Sequence, residues 1–76
     1  MTRHRSTSTS FTSLMRASAF GQFSAVRALL HDGADVNLQG PRGATALMFA
    51  ASAGHLDIVK ELIENGADIS IEEDGG

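Results

Sequence analysis

The feature that most constrains this chain is its likeness to itself. Shifted by 33 positions, which carries Gly33 onto Gly66, the sequence matches without a gap. Thr12 falls on Thr45, Leu14 on Leu47, Met15 on Met48, Ala17 on Ala50, Gly21 on Gly54, Val26 on Val59 and Leu29 on Leu62. Gly33, Ala34 and Asp35 fall on Gly66, Ala67 and Asp68. Conservative pairs fill further positions: Phe23 with Leu56, Arg27 with Lys60, Leu30 with Ile63, Val36 with Ile69. A fixed period of this length marks an array of supersecondary units, each too small to bury its apolar face alone. Two copies of one such unit occupy most of the 76 residues.

Each copy carries the same local signals. In the second, the Thr45 hydroxyl is placed to accept from an orphan N–H at a helix start. A short helix of small residues plus Leu47, Met48 and Phe49 is predicted over Ala46 to Ala53. Gly54 ends it, since glycine tolerates the left-handed conformation there. A second helix is predicted from about Leu56 to Glu64. Its apolar residues Leu56, Ile58, Val59, Leu62 and Ile63 recur at helical spacing, and Asp57 sits in its first turn, where the helix dipole favours a carboxylate. Asn65-Gly66 closes it. The recurring Gly-Ala-Asp then has a physical meaning. Its glycine lets the chain leave a helix, its alanine allows close approach to the next unit, and its aspartate bonds amides in the turn that follows. An extended arm, Ile69 to Ile71, is predicted after it.

The stretches "GATALMFAASAGHLDIVKELIENGADIS" and, more loosely, "FTSLMRASAFGQFSAVRALLHDGADVN" resemble the ankyrin repeat family. The resemblance covers about residues 11 to 71. It implies an all-α solenoid of stacked helix-turn-helix units with a β-hairpin-type finger between repeats. The organisation it implies is a basic Ser/Thr-rich tail at 1–9, a cap-like first repeat at 10–38, a second repeat at 39–71 and the start of a truncated third at 72–76. Such stacks need about three repeats, so the expectation is an N-terminal piece of a longer array or a truncated product. Two departures stand out. The family's proline is Ser13 and Ala46 here, and its histidine is Met15 and Met48. A thioether fills core space but cannot donate a hydrogen bond, which weakens the tie that histidine makes.

Chemistry is bounded by what is missing. There is no cysteine, which excludes disulfides, thiolate metal sites and thiol nucleophiles. No segment has the roughly 18 apolar residues of a spanning helix. The net charge of -3 argues against binding nucleic acid through its phosphates. That charge is uneven: residues 1–31 hold four arginines and no acid, while residues 32–76 hold all nine acids against Arg42 and Lys60. His4, His31 and His55 share no repeat position and imply no metal or cofactor site, and no Gly-x-Ser-x-Gly elbow or phosphate loop occurs. An enzyme is not expected. The N-terminal "RHRSTSTS" reads as a solvated tail, with Ser6 and Ser8 as basophilic kinase sites and a mitochondrial leader as the other readings.

What the resemblance implies is a non-catalytic module that binds another protein, identity unknown, through the concave side, with no nucleic acid and no membrane. The implied location is intracellular, cytoplasmic or nuclear. Carried over residue by residue, the partner-binding positions are Gln39, Pro41, Arg42 and Ala44 on the finger, with Phe20, Ser52 and Ala53 at the ends of the first helices. Phe20 aligns with the small Ala53, so it is either a binding anchor or packs beneath the N-terminal tail.

Overall fold

A computed structural model describes residues 12–71 of the chain. The tail expected at 1–9 and the third-repeat start expected at 72–76 lie outside the described residues. Within them the order is α1 (Ser13–Ala19), α2 (Phe23–His31), a 3-10 turn (Pro41–Gly43), α3 (Ala46–Ala53) and α4 (Leu56–Glu64). The architecture is all-helical: α1 packs on α2, α3 packs on α4, and the two pairs stack chiefly through α1 against α3.

The same local chemistry builds both pairs. The Met15 N–H donates to the Thr12 hydroxyl at 3.2 Å, and the Met48 N–H donates to the Thr45 hydroxyl at 3.4 Å. These caps satisfy donors that the first helical turn leaves open. Beyond α3 the chain turns through Gly54 at φ 80°, and beyond α1 through Gly21 at φ 74°. The Gly-Ala-Asp segments behave alike: the Ala34 N–H donates to the Leu29 carbonyl at 3.0 Å, and the Ala67 N–H to the Leu62 carbonyl at 2.9 Å. In α4 the Asp57 carboxylate accepts from the Ile58 N–H at 2.8 Å.

One core runs through both units. Leu14, Met15, Ala17 and Val26 meet Ala46, Ala50, Ile58 and Leu62. Each larger aliphatic side chain contributes roughly 1.5–3 kcal/mol on full burial. Ala46 and Ala50 let α3 approach α1 closely. Met15 is fully buried, so its thioether fills core space. Ser18 is also fully buried, and its hydroxyl has no hydrogen-bond partner among the described residues.

Two expectations need correction. The extended arm after each aspartate is a turn. Asp35 accepts from the Asn37 N–H at 3.0 Å; Asp68 accepts from the Ser70 N–H at 2.9 Å and from the Ser70 hydroxyl at 2.6 Å. The carboxylate captures the amide two residues on and curls the backbone before it can extend. The finger between the units, expected as a β-hairpin, contains no strand among the described residues. It is a tight reversal at Pro41–Gly43 in which Arg42 and Gly43 both take positive φ, with no ladder on either side among the described residues.

Candidate functional site

The finger is held shut from inside. The Gly40 N–H donates to the Ala44 carbonyl at 2.8 Å, the Gly43 N–H to the Gly40 carbonyl at 2.9 Å, and the Ala44 N–H to the Pro41 carbonyl at 3.1 Å. The Gln39 side-chain amide donates to the Gly43 carbonyl at 2.8 Å and straps the turn from outside. Arg42 rides at the tip with φ 60° and ψ 22°. A side chain in this left-handed region is strained by about 1–2 kcal/mol. The Arg42 side chain is exposed and carries the finger's one charge. Pro41 is half-buried. Ala44, expected on the contact surface, is only 7% exposed, and its N–H and C=O are both taken up in closing the turn.

The remaining expected positions sit elsewhere. Phe20 caps the C-terminal end of α1 and is 67% exposed. Ser52 and Ala53 close α3 and are exposed. Because α1 and α3 are equivalent elements packed on each other, their C-terminal ends share one edge of the stack. The finger leads into the other end of α3. A helix of eight residues is about 12 Å long, so finger and helix ends form two patches and not one cluster.

Residues that tie the two units together escaped the sequence reading. The Asn37 side-chain amide donates to the Gly66 carbonyl at 3.1 Å, while its oxygen accepts from the Asp68 N–H at 2.7 Å. This clasp joins the turn of one unit to the turn of the next. Its counterpart in the second unit is Ser70, which bonds Asp68 in its own turn. The Ser70 hydroxyl, and then its amide, hold the Asp68 carboxyl below the usual carboxylate range. His55 lies across Gly21: a Cβ there would stand 2.7 Å from its Cε1 and 2.9 Å from its Nε2. That placement gives His55 a packing role between units. Arg27 and Glu61 pair across α2 and α4 at 3.7 Å, a mostly solvated contact. The pattern that marks the clasp is visible only in hindsight, as an Asn–Ser difference at matched repeat positions.

Among the described residues, no group of three His, Asp or Glu side chains is placed to hold a metal ion. No helix there is long and apolar enough to cross a membrane. A family model described as "Ankyrin repeats (3 copies)" matches residues 2–73. No curated protein matches the chain.

Proposed function

This chain belongs to the ankyrin-repeat family, and we propose that it is a non-catalytic module that holds another protein through the finger and the exposed ends of α1 and α3. Ankyrin repeats are generally protein-interaction modules, and the family is generally non-catalytic. The observation that carries the finer reading is the closed finger. Three backbone bonds and the Gln39 strap fix it, and Arg42 is presented in a strained conformation at its tip. A turn ordered beforehand loses little conformational freedom on binding, which favours affinity. Strain kept at an exposed tip is a pointer to function. Phe20 adds the large exposed aromatic typical of contact anchors. Ser52 and Ala53 supply a small, flat neighbouring surface. With a net charge of -3, the chain has little attraction for a nucleic-acid backbone.

The test places a photo-activatable amino acid at position 20, at position 42 and, as control, at the exposed Ser24 on α2. In cell extract, positions 20 and 42 should label the same discrete protein, and position 24 should not. The partner so identified should bind Phe20→Ala and Arg42→Gly at least tenfold more weakly, as loss of a contact anchor requires roughly 1.4 kcal/mol or more. Glycine adopts the left-handed tip conformation freely, so Arg42→Gly removes the charge without opening the finger. Equal labelling from all three positions, or unchanged binding by both variants, overturns the reading.

A further inference from the structure

The two units differ where their second helices end. Asp32-Gly33 closes α2, and Asn65-Gly66 closes α4 at the matched positions. Both glycines take positive φ, 93° and 96°, and each donates its N–H to the carbonyl three residues back. The backbones are alike; the chemistry is not. An asparagine before glycine carries a side-chain amide that the next backbone nitrogen can attack, because glycine has no Cβ to block the approach. The chain's asparagines are Asn37 and Asn65. Asn37 precedes the branched Leu38, whereas Asn65 precedes Gly66. Asn65 and Gly66 are both exposed, so water reaches them. At Asp32 the same attack meets a carboxylate, which has no ammonia to expel.

We infer that Asn65 is a deamidation site that the folded chain holds shut, and that its product loosens the joint between the units. The Gly66 nitrogen, its proton lost to hydroxide, bonds to Cγ of Asn65. The Cγ–Nδ2 bond breaks, and ammonia leaves with a proton from water. The succinimide ring so formed takes up one water. Opening at Cγ gives aspartate; opening at the backbone carbonyl gives iso-aspartate, whose main chain runs through the side chain. Nothing is oxidised or reduced. In the fold both reacting groups are engaged. The Asn65 side-chain amide donates to the Glu61 carbonyl at 2.8 Å and to the Glu61 carboxylate at 3.3 Å. The Gly66 N–H donates to the Ile63 carbonyl at 3.0 Å. The reaction therefore waits for the last turn of α4 to open. Neither product fits back as well. Aspartate sets a carboxylate four residues after Glu61, a like-charge pair that the first unit avoids with Ala28 before Asp32. Iso-aspartate also inserts a methylene into the backbone ahead of Gly66. Gly66 supplies the carbonyl, and Asp68 the N–H, that the Asn37 side chain grips. The insertion carries both out of its reach. The site shares no residue with the finger or the ends of α1 and α3, so either reading can fail alone.

The experiment incubates the full chain at mildly alkaline pH, in buffer and in urea above its unfolding midpoint. Tandem mass spectrometry of the peptides follows both asparagines and separates acid from iso-acid. In urea, Asn65 should convert well ahead of Asn37. In buffer it should convert at least roughly tenfold more slowly than in urea, as a reaction confined to opened molecules requires. The iso-acid chain is then parted from the parent by ion exchange and unfolded in urea beside an Asn65→Asp chain. Its midpoint should be the lowest, that of Asn65→Asp intermediate and that of the parent highest. An Asn65 that converts no faster than Asn37 in urea overturns the inference. So does a rate in buffer within that margin of the rate in urea, or any other order of the three midpoints.

Discussion

Gly21 and Gly54 form a natural matched pair, and replacing each by alanine separates backbone strain from crowding. Both end a first helix, with φ 74° and 80°. Each alanine incurs about 1–2 kcal/mol in the left-handed region, offset by about 0.4–1 kcal/mol from a stiffer unfolded chain. Gly54→Ala should therefore destabilise by about 1 kcal/mol, since nothing lies within 4 Å of its new methyl. Gly21→Ala meets the His55 ring, at 2.7 Å from Cε1, 2.9 Å from Nε2 and 3.0 Å from Nδ1. Separations under 3 Å require the ring to move, and His55 sits at the start of α4, where its backbone is tied by the His55 N–H to the Ala50 carbonyl at 2.9 Å. Overpacking of this kind adds about 1–3 kcal/mol. Urea unfolding followed at 222 nm measures the difference between the two variants. Repeating both in a His55→Ala background closes a double-mutant cycle. There the extra loss at Gly21 should vanish, leaving the two glycines equivalent. Equal losses in the parent, or an excess at Gly21 that survives removal of the ring, would refute the assignment of His55 as the wedge between units.

Other perturbations follow from the same geometry. Ser18→Ala removes a buried hydroxyl without a partner and matches Ala51 at the equivalent position; it should stabilise by about 1 kcal/mol or more, read as a higher urea midpoint. Asn37→Ala severs both bonds of the clasp and should destabilise by roughly 1–2 kcal/mol, while Ser70→Ala, which crosses to no neighbour, should change stability far less. Ser70→Ala should instead raise the Asp68 pKa toward the ordinary 3.8, as followed by carboxyl-carbon NMR titration. Because folding lowers that pKa, its stabilisation is present above the unfolded value and is lost as pH falls through the folded one. The loss lies in the acid range below about 4, and Ser70→Ala should flatten it.

Element identity could be read from residue order because each boundary has a local cause. Thr45, Gly54, Asp57 and Asn65-Gly66 act within a turn of where they stand, and α3 and α4 begin and end where those residues dictate. The turn after Gly-Ala-Asp was missed for the opposite reason. Ile69 and Ile71 favour extension, but the Asp68 carboxylate overrides that preference through two bonds to Ser70. The finger shows no strand among the described residues, and its left-handed tip at Arg42 is not a conformation that arginine announces. The surface was harder still. Exposure of Phe20 and burial of Ala44 depend on which neighbour covers each, and one unit's pattern does not reveal that. The clasp of Asn37 depends on a turn 29 to 31 residues away.

That last span has a kinetic meaning. The clasp reaches from one unit to the next and no further, about one period of the repeat. A chain that orders itself by such short closures need not wait for distant segments to meet, which places it among topologies that assemble quickly. Lengthening the array leaves the span unchanged, so the rate at which a newly synthesised unit docks depends on itself and the one before it, whatever the total number of units.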